Sequence, residues 1–262
     1  MKNIESLTKI ASLANLIKQS NKLAILTGAG ISTDSGIPDF RSTKNSIWVK
    51  NKSREELMSQ RYLEGSPKEF WPIYKEIFKM KLASDFEPNY GHLFLKELED
   101  MGKEVKVFTQ NVDGLHLDAG SSSVYEMHGS IKKARCPKCK KEFGLSYIME
   151  QDIPRCDKLK NAKGDRCGFI LHPNVVLFGG MIHHFKEAEE YSKQCDLMIV
   201  LGTSLNVSPV NLLPLTVGDA RYKGKVAIIN NDATSFDSLF NVVIHDSITD
   251  SCKALKSMLS EA

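Results

Sequence analysis

The stretch Leu23-Ala-Ile-Leu-Thr-Gly28-Ala-Gly30-Ile-Ser-Thr-Asp-Ser-Gly36 begins as an unbroken apolar run and turns, after Thr27, into a loop carrying three glycines. A short continuous apolar run ended by turn residues reads as a strand buried on both faces. Glycines placed just after such a strand let the backbone approach a diphosphate, and the helix end that follows supplies amide donors. Taken alone, the glycines are equally compatible with a tight turn that binds nothing. The stretch also departs from the dehydrogenase fingerprint G-x-G-x-x-G. Gly28 and Gly30 fit it, but Thr33 holds the third glycine position. No strand ending in an acidic residue follows about 20 residues on.

Similar runs recur along the chain at Val105–Thr109, Val175–Phe178, Leu197–Gly202 and Val226–Asn230. Between them, Pro67–Leu82, His92–Met101, His184–Gln194, Pro209–Val217 and Thr249–Leu259 show helical spacing. Strands alternating with helices predict an α/β fold, a doubly wound parallel sheet with ligands at the carboxyl ends of its strands. Two stretches interrupt the alternation and are candidates for a smaller appended lobe: Ser42–Phe86, and the cysteine-bearing Ile131–His172.

At 262 residues the chain is long enough for one large domain with a small module. Its 42% apolar and 26% charged residues are those of a soluble globular protein. The net charge is +3 and the lysines are scattered, so no direct nucleic-acid partner is expected. Ile4, Leu7, Ile10, Ala11, Ala14 and Ile17 space an amphipathic amino-terminal helix, unlike the continuous apolar core of a signal peptide. No segment reaches the roughly 18 apolar residues of a membrane span. A cytoplasmic location is therefore expected, and there six cysteines point to metal or free thiols before disulfides.

Cys136-Pro-Lys-Cys139 has the spacing of a zinc knuckle, and Cys156 and Cys167 are the nearby cysteines that can complete four ligands. The second pair is unusual, because Asp157–Arg166 separates them where about two residues are expected. A redox-active CxxC is the alternative, but no thioredoxin-like context surrounds it. Cys195 and Cys252 adjoin expected core elements and read as buried thiols.

Seven blocks then occur in order: Gly28–Ser32, Gly36-Ile-Pro-Asp-Phe-Arg41, Thr109-Gln-Asn-Val-Asp-Gly-Leu-His116, His128-Gly129, Val175–Gly179, Gly202-Thr-Ser204 and Ile229-Asn230. Together they span most of the chain, and in register they resemble the sirtuin family closely. That resemblance implies a Rossmann-like large domain with a small zinc-binding lobe. It implies an NAD-dependent protein-lysine deacylase, which cleaves nicotinamide from NAD and yields O-acyl-ADP-ribose and free lysine. NAD would be a co-substrate, Zn2+ structural, and the partner an acylated-lysine protein or peptide.

The resemblance also implies residue roles. Ala29, Thr33, Phe40 and Arg41 would contact the diphosphate and nicotinamide end, Gln110 the ribose, and Asn111, Val112 and Asp113 the nicotinamide pocket. By itself Asp113-Gly114 reads as a turn at a strand end. Thr203, Ser204 and Asn230 would hold the adenosine half, with Ile248 contacting adenine through its backbone. His128 matches the catalytic histidine, and an imidazole suits the role of general base because its ordinary pKa leaves a neutral fraction near pH 7. Asn111 joins it as the second catalytic position. Val176, Phe178, Gly179 and Val207 would hold the acyl-lysine peptide, in a tunnel that admits a neutral amide more readily than a charged lysine.

Two positions depart from the family pattern: Gly180 stands where a glutamate is expected and His172 where an arginine is expected. Both bear on substrate preference. Tyr74 is followed three residues later by Ile77, with no cation to receive an acidic acyl chain, so acetyl or longer neutral acyl groups are expected. Protein ADP-ribosylation at the same NAD site is the alternative reading, and a non-catalytic NAD-sensing or zinc-dependent interaction module is a second.

Overall fold

The computed structural model describes residues 4–38, 53–78, 86–161, 164–218 and 224–260. Among them the strands run β1 (Lys22–Thr27), β2 (Glu104–Thr109), β3 (Val124–Glu126), β4 (Lys133–Arg135), β5 (Glu142–Gly144), β6 (His172–Pro173), β7 (Leu197–Leu201), β8 (Lys225–Ile229) and β9 (Val242–Ile244). The helices are α1 (Ile4–Gln19), α2 (Arg54–Leu57), α3 (Gln60–Gly65), α4 (Pro67–Ile77), α5 (Tyr90–Asp100), α6 (Leu115–Asp118), α7 (Leu145–Met149), α8 (Phe185–Ser192), α9 (Leu213–Gly218) and α10 (Ile248–Ser260).

The main sheet is parallel throughout, in the order β3-β2-β1-β7-β8-β9. The chain lays β2 and β3 on one side of β1, then crosses over and builds outward from β7 on the other. This is the doubly wound order, and its reversal between β1 and β7 opens a crevice at the carboxyl ends of those two strands. The burial pattern of β1 explains why its sequence is continuously apolar. Leu23 and Ile25 face a core shared with α1, α5 and α10, while Ala24 and Leu26 face one shared with α8 and α9. Fully burying a leucine or isoleucine is worth about 1.5–3 kcal/mol, so either face of the strand rejects polar residues.

A third core joins α2, α3 and α4 to the antiparallel sheet β5-β4-β6. Phe70, Trp71 and Tyr74 from α4 pack with Ile131, Ala134, Phe143 and Leu171, and the Trp71 indole N–H donates to the Leu171 carbonyl at 2.8 Å. Residues 53–78 and 131–172 thus share one apolar interior although 52 residues of sequence and two strands of the main sheet lie between them. Ser59 starts α3 by accepting from the Tyr62 amide, and Pro67 occupies the first turn of α4, where its missing N–H costs nothing.

The expected strand at Val175–Phe178 is not one of these sheet strands. Its amides leave the sheet: Val176 N–H donates to the His128 carbonyl at 2.8 Å, and Phe178 N–H donates to the Met58 carbonyl at 3.0 Å. In return the Phe178 carbonyl accepts from Gln60 N–H at 3.0 Å, a single parallel bridge to the start of α3. An apolar run can satisfy its backbone on two loops as well as on a ladder. The expected helix at Pro67–Leu82 ends at Ile77 within the described residues, and Pro209–Val217 divides into a 3-10 turn at Val210–Leu212 and α9.

Candidate active site

At the sheet reversal the loops after β1 and β7 interlock. Gly28 N–H donates to the Leu201 carbonyl at 3.0 Å and Gly30 N–H to the Gly202 carbonyl at 2.8 Å. A Cβ on Gly202, whose φ is +63°, would lie 2.4 Å from the Ile31 nitrogen, and one on Gly30 would lie 2.8 Å from the Gly202 Cα. Side chains are excluded there, and backbone lines the crevice. Ala29 and Thr33 follow on a 3-10 helix, Ala29–Ser35, where Thr33 is exposed and its hydroxyl donates to the Gly30 carbonyl at 2.9 Å. Phe40 and Arg41 lie outside the described residues.

The loop after β2 brings in the polar group. Asn111 and Asp113 are buried, at 8% and 6% exposure, so each needs partners. The Asn111 amide nitrogen donates to the Gly28 carbonyl at 3.0 Å and the Ser32 hydroxyl at 3.2 Å. Asp113 accepts from the Ser32 hydroxyl at 2.9 Å and from the Leu115 amide at 3.1 Å. Gln110 crosses the crevice mouth, its amide nitrogen donating to the Thr203 hydroxyl oxygen at 3.2 Å. Val112 is buried beside them in the small-lobe core.

His128 follows β3 at the same end of the sheet. Its Nδ1 lies 3.0 Å from the Gln110 carbonyl. A carbonyl can only accept, so Nδ1 carries the proton of the neutral ring and Nε2 keeps its lone pair. Burial pushes the His128 pKa below the usual histidine value; the Gln110 carbonyl partly opposes this and His183 adds to it. Gly129 makes the turn possible: its φ is +74°, and a Cβ there would lie 2.0 Å from the Asn174 carbonyl oxygen.

At later strand ends, Thr203 is buried after β7 with Ser204 next to it. Asn230 follows β8 and donates from its side chain to the Asp232 carbonyl at 2.7 Å. Ile248 begins α10, and its side chain belongs to the core. Val176 is half-buried beside the His128 backbone, whereas Phe178 and Val207 are 48% and 51% exposed and Gly179 has φ +83°. His172 lies on β6 against Arg135 of β4 and lines, with Glu64, Arg155 and Phe169, an open groove of about 440 Å³.

Cys136, Cys139, Cys156 and Cys167 bring their sulfurs within 4.8 Å of one another, with Cys136–Cys167 at 3.7 Å and Cys139–Cys156 at 3.5 Å. One tetrahedral zinc with Zn–S bonds of about 2.3 Å places its thiolates about 3.8 Å apart, so the cluster fits such an ion. The long Asp157–Arg166 insertion does not disturb it because its described residues pair as a ribbon. Cys156 and Phe169, Cys167 and Lys158, and Lys160 and Asp165 are joined by backbone hydrogen bonds of 2.7–2.8 Å, which return the chain to the second ligand.

Behind Asn111 and Asp113 stands a layer that the sequence reading assigned no role. The Thr27 hydroxyl bonds the Thr109 hydroxyl at 2.8 Å and His116 Nε2 at 2.9 Å, and Thr109 in turn accepts from the Asn111 backbone amide at 3.0 Å. His92 and His116 are essentially fully buried with ring centroids 4.8 Å apart. Burial lowers the His92 pKa to about 4, with Asp113 opposing, and holds that of His116 well below the usual value, with His92 adding to the effect. Both rings are therefore neutral near pH 7. Ser32 and His116 stand inside the quoted blocks, and the one available signal was a polar residue in an otherwise buried motif.

The family model described as the Sir2 family matches residues 28–209. An NAD-dependent protein deacetylase of Bacillus subtilis (strain 168) is 46% identical over 241 residues, covering 92% of this chain and 96% of that protein. A solved structure described as Sir2-p53 peptide-NAD+ superposes with a TM-score of 0.78 at 32% identity, over 96% of this chain and 98% of that one. Another, a Sir2 complex with 2'-O-acetyl-ADP-ribose and deacetylated p53 peptide, gives a TM-score of 0.78 at 32% identity, over 96% and 99%.

Proposed function

The chain belongs to the Sir2 family and is an NAD-dependent protein deacetylase, and we propose that His128 is its general base. The acyl oxygen of the substrate displaces nicotinamide from the anomeric carbon of NAD, the co-substrate; His128 takes the proton of a ribose hydroxyl as that hydroxyl closes on the acyl carbon, and water completes the release of free lysine and O-acyl-ADP-ribose. The observation that carries the role of His128 is the Nδ1–H bond to the Gln110 carbonyl, which leaves Nε2 as a proton acceptor. Its lowered pKa keeps that nitrogen unprotonated at neutral pH, and general-base help of this kind is worth ~10²–10⁴ in rate.

The remaining roles follow the order of the strand ends. The crevice at Gly28, Gly30 and Gly202 admits the diphosphate against backbone, with Ala29 and Thr33 beside it, and the family resemblance assigns Phe40 and Arg41 to the same end of the cofactor. Asn111 orients the reacting ribose, Gln110 holds its hydroxyls, and Val112 and Asp113 receive the carboxamide. Thr203, Ser204, Asn230 and the Ile248 backbone hold the adenosine half. Val176, Phe178, Gly179 and Val207 seat the acyl-lysine peptide. Four cysteine thiolates hold the structural Zn2+, with no open position for chemistry. The chain is read as one catalytic domain, whose small lobe is built, among the described residues, from 53–78 and 131–172. A reducing cytoplasm suits its free thiols.

The test is a reaction with labelled NAD and an acetyl-lysine peptide. We expect label to leave as O-acetyl-ADP-ribose and His128→Ala to reduce its formation at least 100-fold with an unchanged melting temperature. Full turnover by His128→Ala refutes the assignment, and label retained on protein indicates ADP-ribosyl transfer instead.

A further inference from the structure

We propose that His116 is a positioning residue for the NAD end of the site, acting through a directed chain of hydroxyls to the Asn111 backbone. The chain is His116 Nε2–H to Thr27 Oγ1, Thr27 O–H to Thr109 Oγ1, with the Asn111 amide N–H donating to that same Thr109 oxygen. Its direction follows from the other ring nitrogen. The distances between the two hydroxyls and the ring suit either direction, because each threonine can donate or accept and the role of Nε2 depends on the tautomer.

The far side of the ring decides between them. His116 Nδ1 is buried and has no hydrogen-bond partner among the described residues. In the Nε2–H tautomer that atom is an acceptor lone pair, which burial tolerates better than an unpaired N–H. His116 is the second residue of the short helix α6 while Thr27 ends β1 and Thr109 ends β2, so this single imidazole ties the β2 loop to the first strand. With the ring present, its N–H engages a Thr27 lone pair and directs the Thr27 proton at the same Thr109 oxygen that accepts from Asn111. Without it, Thr109 can turn its proton back to Thr27, and the hydroxyl pair no longer has one orientation. Asn111 is the residue whose side chain also grips Gly28 and Ser32, so a loosened backbone there misplaces the nicotinamide and ribose end while leaving the peptide groove alone.

The kinetic part of this inference rests on the deacetylase reading, and the spectroscopic part does not. Steady-state kinetics of H116L and H116Q, with T27V as an independent break in the same chain, are measured beside imidazole 15N–1H correlation spectra of the wild-type protein at pH 7. H116L and T27V are expected to lower kcat/KM for NAD by at least tenfold with the peptide KM within twofold. H116Q, which keeps a side-chain N–H at the Nε2 position, should recover to within about threefold of wild type. T27V provides the comparison if H116L does not fold. The His116 spectrum should show the neutral Nε2–H form. Wild-type NAD kinetics in H116L and T27V, or a loss in H116Q as large as in H116L, overturns the positioning role. An Nδ1–H signal for His116 overturns it whatever the activity, while a wild-type protein lacking peptide-dependent nicotinamide release refutes the deacetylase reading without touching the tautomer.

Discussion

Replacing Gly202 by alanine tests the interlocked loops at the sheet reversal. Two costs add at that position. A non-glycine residue held at φ +63° pays about 1–2 kcal/mol for the left-handed backbone. The new Cβ would stand 2.4 Å from the Ile31 nitrogen and 2.6 Å from the Gly30 carbonyl carbon, and backbone atoms cannot rotate aside. Overpacking of this kind costs about 1–3 kcal/mol more. The sum, about 2–5 kcal/mol, corresponds to a fall in melting temperature of about 4–20 °C for a domain of this size. Gly102→Ala separates the two costs. Gly102 has φ +85° but open space around a Cβ, so it should lose only the backbone share, about 2–8 °C. Both variants are measured by thermal unfolding followed by circular dichroism, and NAD affinity by calorimetry. G202A should be the less stable of the two and alone should lose NAD binding. A melting temperature for G202A no lower than that for G102A, with NAD affinity intact, refutes the claim that backbone contact between the loops shapes the crevice.

Acid should destabilise the protein through its buried imidazoles. His92 and His116 have folded pKa values depressed by burial below the ordinary 6.5, so the unfolded chain binds protons that the folded one refuses. Their share of stability is complete above about pH 6.5 and is lost as pH falls toward 4, the folded value of His92. Denaturant midpoints should drop between pH 7.5 and 5, less so in H92N, and an identical pH slope in that variant counts against the reading. The purified protein should carry one zinc per chain by atomic absorption, and C136S should lose the metal together with several degrees of melting temperature. Phe178→Ala should raise the KM for acetyl peptide several-fold while leaving the KM for NAD unchanged; the reverse pattern would move Phe178 out of the peptide groove.

Legibility in the sequence followed the range of the interactions involved. β1, β7 and β8 are buried on both faces over nearly their whole length, and β2 at its carboxyl end, so their composition betrays them. β3 and β9 have three residues each, too few for any periodicity, and only their pairing identifies them as strands. Val175–Phe178 has the composition of a strand, but its amide partners are His128 and Met58, about 50 and 120 residues distant, a choice no local pattern encodes. In the site, His128, Asn111 and Asp113 were found through motif blocks. The layer behind them depends on side-chain bonds from Thr27 to His116 and from Ser32 to Asp113, across 89 and 81 residues. The spacing of Cys156 and Cys167 looked anomalous only because the ribbon between them is invisible until its cross-strand amides are traced.

The stretch from Val176 to Phe178 is laced at one end to the carbonyl of His128 and at the other to Met58 and Gln60. A tether of this kind transmits force. If Phe178 borders the acyl-lysine peptide as proposed, its displacement reaches the main chain of the proposed base within three residues. Because the bonds are main-chain bonds, Gln60→Pro, which removes the N–H given to Phe178, should register in turnover before it registers in peptide affinity.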